Sequence, residues 1–192
     1  MSVSEWRKEF SETYNKLKPY FINTVFDSAF TILGIIVGSA FSENFDHKIF
    51  LGTLLAGTFS LGISSGVSVY EAETLQAEKK IKTLEESLLR DLDETLIVEN
   101  EKRQTAVVSV IIFLTPILTS LYSLTPQILS LADVLHVKTT IWISVSLTIS
   151  LLFLTGYVFS EENREQKIWR GLRMMVLGVV AFLVGFGIKS LV

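Results

Sequence analysis

The chain has 192 residues, 49% of them hydrophobic, and a mean hydropathy of +0.46. Its net charge is −3, and the segment richest in basic residues is richer still in acid, so a nucleic-acid-binding surface is not indicated. The absence of cysteine excludes disulfides and thiolate metal sites. Soluble domains rarely combine such a composition with charges confined to a few segments. We therefore predict an integral membrane protein.

The chain begins with a charged amphipathic segment, residues 1–19, in which Trp6, Phe10, Tyr14 and Leu17 recur at helical spacing. It lacks the short apolar core and the small-residue cleavage site of a signal peptide. We predict that this segment is cytoplasmic and lies on the membrane surface.

Apolar stretches long enough to cross a hydrocarbon core of about 30 Å follow this segment. One of them, which begins at Thr105, contains Pro116 and Pro126. Because proline breaks helical hydrogen bonding, we predict that this helix ends near Leu124 and is followed by a turn or re-entrant piece. The predicted spans are 20–42, 49–70, 105–124, 139–159 and 172–191.

The second and third spans are separated by residues 71–104, which contain no glycine or proline and hold ten of the twenty acidic residues. An apolar stripe at helical spacing predicts a helix, and nothing between Val67 and Glu94 separates it from the second span. The predicted fold class is an all-α membrane protein of five transmembrane helices, with an acidic cytoplasmic helical segment between helices 2 and 3. Its predicted parts are the N-terminal segment 1–19, the first two transmembrane helices 20–70, the acidic segment 71–104 and the last three transmembrane helices 105–192.

Basic residues are unevenly distributed along the chain. Fourteen lie in the N-terminal segment, in the acidic segment and in the loop after the fourth span, against three elsewhere. By the positive-inside rule, we predict a cytoplasmic N-terminus and a C-terminus that is outside or lumenal. The membrane would be the cell membrane in a prokaryote and a vacuole-like membrane in a eukaryote.

Asp27 is a carboxylate inside the first apolar span. An acid at the centre of a membrane helix costs about 2.5–3.5 kcal/mol on insertion scales, so such residues usually face the bundle interior and mark an ion pathway. The alternative is that Asp27 caps the cytoplasmic end of the span. Asn23 lies one turn earlier, and the same predicted face carries further small or polar residues, namely Thr24, Thr31, Gly34 and Gly38.

A row of small and polar residues runs along the second span and continues into the acidic segment. Seven residues nearly complete two helical turns, so in a continuous helix this row would lead from hydroxyl groups in the membrane to carboxylates in the cytoplasm. Oxygen ligands in a line suit a hard or borderline divalent cation. The alternatives are a small-residue packing seam and a solvated charged face. The row consists of Gly57, Ser64, Glu71, Glu78 and Glu85 at intervals of seven, with Thr53, Ser60 and Ser68 beside them.

Two GxxxG patterns, Gly34–Gly38 and Gly62–Gly66, permit close helix approach or dimerisation. Glu43, Asp46 and His47 cluster between the first two spans, where we favour a solvated turn over a cation exit site. The sequence contains no phosphate-binding loop, no Ser/His/Asp grouping and no HExxH motif, so we predict that the protein is not an enzyme.

The stretch from Phe26 to Gly38 resembles the first-span motif of the vacuolar iron transporter family, Asp-Gly-x-x-Thr-x-x-Gly-x-x-x-Gly. The stretch from Ser60 to Glu73 resembles the end of that family's second span, in which Ser-Met is followed by a triplet, a serine and glutamates. Three positions depart from the pattern: Ser28 replaces a glycine, Leu61 replaces the methionine, and Ser65 replaces an acid.

This resemblance implies a homodimeric carrier that moves Fe²⁺ or Mn²⁺ out of the cytosol in exchange for protons, with Co²⁺, Ni²⁺ and Zn²⁺ as further candidate cargo and no tightly bound cofactor. The pathway would include Asn23, Thr31, Ser60 and Ser64. The alternatives are a divalent cation channel and a non-transporting scaffold whose acidic helix binds a partner protein. The implied metal ligands are Asp27, Glu71, Glu78, Glu85, Glu86 and Glu94.

Overall fold

The structure is a computed structural model that describes residues 3–40, 46–92, 95–131, 137–160 and 163–191. Over these residues the protein is entirely helical. Each of five long helices has the length and composition to cross a membrane, which confirms the prediction of five spans. The helices are α1 (Val3–Ile35), α2 (His47–Leu88), α3 (Leu96–Leu131), α4 (Val137–Val158) and α5 (Arg164–Leu191).

The middle helix of the bundle is α3, which packs against α1, α2 and α4, while α5 packs against α4 and α1. Two apolar clusters form the core. The larger joins α1 and its π-helical extension Ile36–Ala40 to α2, α3 and α4, and consists of Ile32, Leu33, Ile36, Phe50, Leu54, Leu124, Ile141 and Val145. The smaller joins α2 to α3 and consists of Val69, Val108 and Ile112, against which Leu17, Tyr20 and Phe21 of α1 pack.

The two GxxxG patterns have different environments. A Cβ on Gly62 would lie 2.6 Å from the carbonyl oxygen of Phe113, and one on Gly66 would lie 2.9 Å from the Phe113 Cβ. These glycines therefore allow α2 to approach α3 within one chain. In contrast, a Cβ on Gly34 or Gly38 would have no neighbouring atom within 4 Å, so this pair lies on an open face of α1 and its π-helical extension.

The N-terminal segment is not a helix of its own, because α1 runs from Val3 through Pro19 to Ile35. A proline inside a helix removes one backbone hydrogen bond, which would favour a break at this point. Side chains near the proline hold the helix in place instead. Tyr20 and Phe21 pack on the smaller apolar cluster, and Lys16 reaches acids of α2 and α3.

The prediction that the third helix ends near Leu124 is wrong, because α3 continues through Pro116 and Pro126 to Leu131. Both prolines are buried, and the packing of α3 against three neighbours keeps the chain helical where the lost hydrogen bonds alone would end it.

The second helix continues from the second span into the acidic segment as far as Leu88, and it ends before Glu94, the position up to which the sequence predicts no break. Its first turn is capped by Asp46, whose Oδ1 accepts hydrogen bonds from the backbone nitrogens of Lys48 (2.7 Å) and Ile49 (3.2 Å). Of the cluster predicted as a solvated turn, Asp46 thus has a capping role, and Glu43 lies outside the described residues. The helix ends at Leu89, which adopts the left-handed conformation (φ 49°).

We expect Gly62→Ala to destabilise the protein, because the added methyl group would push α2 away from the Phe113 backbone. Overpacking of this kind costs roughly 1–3 kcal/mol. Gly52→Ala is the matched control: it adds the same methyl group at an open position of the same helix, where alanine is the better helix former. Thermal unfolding in detergent measures both, and equal midpoints for the two variants would contradict the close packing of α2 on α3.

Candidate metal pathway

Asp27 lies in the middle of a continuous helix, so it does not cap a helix end. Its side chain is exposed on the outside of the helical bundle, where Asn23 Nδ2 donates a hydrogen bond to Asp27 Oδ2 (3.2 Å). The hydroxyl of Thr31 donates to the Asp27 carbonyl oxygen (2.7 Å). Thr24 is buried, so it does not share this face as the spacing predicted. We call Asn23, Asp27, Gly34 and Gly38 the Asp27 face.

Two contacts fix the height of Asp27 relative to α2. Near one end of the contact between the helices, the Ile35 side chain lies against Gly57; near the other, Gln76 Nε2 donates to the Tyr20 hydroxyl (3.3 Å). The helices are therefore antiparallel, and interpolation between the contacts places Asp27 level with the stretch from Ser64 to Ser68. Asn23 is then level with Glu71.

The residues of the predicted row are exposed along α2, except for Gly57 and Glu85, which are partly buried. Because α2 is unbroken, the hydroxyls of the second span and the carboxylates that follow it lie along one helix. We call the exposed members the oxygen row: Thr53, Ser60, Ser64, Ser68, Glu71 and Glu78.

The acids of the oxygen row are too far apart to form a coordination sphere among themselves. Glu71 and Glu78 are two helical turns apart, about 10 Å along the axis, so they do not share an ion. Among the described residues, no group of three or more His, Asp or Glu side chains is placed to hold a metal. These acids therefore form no multidentate site within the described part of the chain.

The remaining predicted ligands lie near the end of α2. The Glu85 carboxylate accepts a hydrogen bond from the backbone nitrogen of Leu92 (3.0 Å), and its carbonyl oxygen accepts from the Leu89 and Arg90 nitrogens. Glu85 therefore closes the turn between α2 and α3. Glu86 is exposed beside it, and Glu94 lies outside the described residues.

Two acids of the segment form a buried ion-pair cluster that the sequence reasoning missed. Lys16 Nζ lies 2.6 Å from Glu101 Oε2 and 3.6 Å from Glu73 Oε2, and Lys80 also pairs with Glu101. Burial raises the pKa of Glu101, but the hydrogen bonds and charges of Lys16 and Lys80 lower it by more, so its pKa lies below the ordinary value. The cluster joins the N-terminal part of α1 to the charged parts of α2 and α3.

A signal for this cluster was present in the spacing of α2. The buried positions Gly62, Gly66, Val69, Glu73 and Ala77 follow one another at intervals of three or four. Glu73 therefore stands on the stripe that faces the bundle, whereas Glu71 stands on the opposite side of the helix.

Comparison with known proteins identifies a family match and a sequence relative. A family model described as the VIT family matches residues 82–190, which is more than half of the chain. That range covers the end of α2 and nearly all of α3 to α5, but it does not include Asp27, Ser60 or Ser64. An uncharacterized protein of Methanocaldococcus jannaschii is 22% identical over 174 residues, covering 89% of this chain and 87% of the relative. No solved structure matches the chain.

We expect Lys16→Met to lower the free energy of unfolding by roughly 2–3 kcal/mol, since it leaves Glu73 and Glu101 buried with less positive charge. Removing one partner of a fully buried pair costs about 3–5 kcal/mol, and Lys16 is partly exposed. Lys79→Met removes an exposed cation from the same region and is the control. Thermal unfolding in detergent measures both variants, and a similar loss in the two would show that the cluster is not structural.

The lowered pKa of Glu101 gives a pH dependence with a defined sign. Ionised Glu101 stabilises the fold above the pKa of the unfolded chain, near 4.5, and this stabilisation is lost as the pH falls through the lower folded pKa. The difference in unfolding midpoint between wild type and Glu101→Gln should therefore narrow as the pH falls through and below 4.5. A difference that is constant with pH would contradict the ionised state of Glu101.

Proposed function

The chain belongs to the VIT family of membrane metal-ion transporters, and we propose that it exports a divalent metal, Fe²⁺ or Mn²⁺, from the cytosol in exchange for protons. The observation that carries this proposal is the position of Asp27. Its carboxylate is exposed on the surface of the chain, level with Ser64 and Ser68 of the oxygen row.

A carboxylate facing lipid in the membrane is costly, so the Asp27 face needs a polar or protein cover. We infer that a second copy of the chain supplies this cover in a homodimer. Gly34 and Gly38 support the inference, because their open positions allow another helix to approach the backbone of α1 closely. Across a two-fold axis, each Asp27 would face the corresponding surface of the partner. Two copies could then provide the several oxygen ligands that one copy lacks.

In the proposed mechanism, Glu71 and Glu78 raise the local concentration of cations at the cytoplasmic end of the pathway. The metal ion then moves along the hydroxyls of Ser64 and Ser60 beside Asp27. Asp27 binds either the metal ion or a proton, because protonation removes the negative charge that holds the metal. This competition couples the two fluxes in opposite directions.

The ligand chemistry favours oxygen-preferring cargo. Every member of the Asp27 face and the oxygen row that can bind a metal does so through oxygen, and Leu61 stands where the family pattern has the soft methionine sulfur. Carboxylate, hydroxyl and water oxygens suit Mn²⁺, and the missing thioether removes a ligand that would favour a softer ion. Among the candidate cargoes, we therefore place Mn²⁺ first.

We expect Asp27→Asn to reduce metal/proton exchange in proteoliposomes by roughly tenfold or more, the size of loss seen when the groups around a metal are disturbed. The amide has nearly the same shape but loses the negative charge. Fluxes of Mn²⁺ and of protons are measured together, with Glu165→Gln as the control because Glu165 is an exposed acid outside the pathway.

Wild-type exchange by the Asp27→Asn variant would overturn the role of Asp27. A wild-type metal flux that saturates and is accompanied by a proton flux in the opposite direction supports an exchanger. Metal flux in the wild type that does not saturate and does not respond to a pH gradient would identify a channel instead.

A further inference from the structure

The contact between α3 and α4 is polar near the end of the bundle at which α2 begins. Five side chains in this contact, none of them charged, are 0% exposed. Buried polar groups in a membrane bundle need hydrogen-bond partners, because lipid supplies none. These five residues are Ser123 and Gln127 of α3 and Thr140, Ser144 and Thr148 of α4.

Two hydrogen bonds fix the register of the helices here. Thr148 Oγ1 donates to Ser123 Oγ (3.0 Å), and Thr140 Oγ1 donates to Gln127 Oε1 (3.4 Å). Gln127 lies one helical turn from Ser123, and Ser144 lies one turn from both Thr140 and Thr148. Because α3 and α4 run in opposite directions, one turn beyond Ser123 and one turn before Thr148 are at the same level, so Gln127 and Ser144 face each other beside the Ser123–Thr148 bond.

These two facing residues carry polar atoms without protein partners. Among the described residues, neither Gln127 Nε2 nor Ser144 Oγ has a hydrogen-bond partner. Exchanging the oxygen and nitrogen positions of the Gln127 amide still leaves one polar atom unsatisfied. In either orientation one of the two atoms contacts Thr140 and the other has no partner. A buried polar group left in this state costs several kcal/mol in an apolar medium.

We propose that Gln127 and Ser144 bind an ordered water molecule between α3 and α4. The water accepts a hydrogen bond from Gln127 Nε2 and donates one to Ser144 Oγ, which satisfies both atoms with two or more polar partners, as a buried water requires. The five polar side chains carry no charge, so a metal ion would lack a neutralising ligand here, and the site suits a small neutral ligand.

The site has a polar connection toward the end of the bundle. Ser130 is one turn beyond Gln127, and its Oγ lies 3.4 Å from His47 Nε2 at the start of α2. Ser130 and His47 therefore provide polar groups along a path by which water could reach Gln127 from that end of the bundle. This hydrated contact is enclosed within one chain, and it is separate from the exposed Asp27 face.

The test is a double-mutant cycle with Gln127→Met, which keeps the length of the side chain, and Ser144→Ala. If one water joins the two residues, each single change strands the other partner and lowers the unfolding midpoint by roughly 2–4 °C. The unfolding midpoint of the double variant should then be no lower than that of the less stable single variant, because neither polar group remains to be satisfied. Ser150→Ala, which removes an exposed hydroxyl bonded to the Ser146 carbonyl oxygen, is the control and should leave the midpoint unchanged.

Additive losses, or a single variant more stable than wild type, would overturn the proposal. A structure that resolves waters provides a second test that does not depend on the folding of variants. Density within hydrogen-bonding distance of both Gln127 Nε2 and Ser144 Oγ supports the site, and direct contact between the two side chains overturns it. Both tests are independent of transport.

Discussion

The close contact between α2 and α3 determines where the polar groups of the second span point. Gly62 and Gly66 let α2 lie against the Phe113 backbone, which fixes the rotation of α2 about its axis. With 100° per residue, Ser60, Ser64 and Glu71 then lie on the side of α2 away from this contact. The exposure of the oxygen row thus follows from the position of two glycines. A larger residue at either position would separate the helices or turn the row.

The protein satisfies its polar groups in three different ways. Hydroxyls inside the bundle donate largely to carbonyl oxygens of their own helix, as Ser28 does to Thr24 and Ser109 does to Thr105. Charged groups at one end of the bundle pair across three helices in the ion-pair cluster. The Asp27 face and the oxygen row are different, because their polar groups are exposed on the outside of the bundle. The first two arrangements stabilise the chain, and the third is the one suited to an external ligand or a second copy.

The sequence allowed the number of spans, the unbroken α2 and the common row of serines and glutamates to be predicted, because each depends on composition or spacing along a single helix. It could not separate Gly34–Gly38 from Gly62–Gly66, since the two patterns are alike and only their neighbours differ. Nor did counting acids distinguish Glu73 from Glu71, although the stripe of buried positions in α2 would have done so. The continuation of α3 past Pro126 depends on packing against other helices, which no local pattern records.

The ion-pair cluster also constrains how the chain is inserted into the membrane. Lys16 precedes the first span, Glu73 and Lys80 follow the second, and Glu101 precedes the third. These residues can meet only if the first two spans cross the bilayer in opposite directions and return the chain to its starting side. A span that failed to insert would strand Lys16 across the bilayer from its acids. The ion pairs therefore form only in a chain whose first two spans are both inserted.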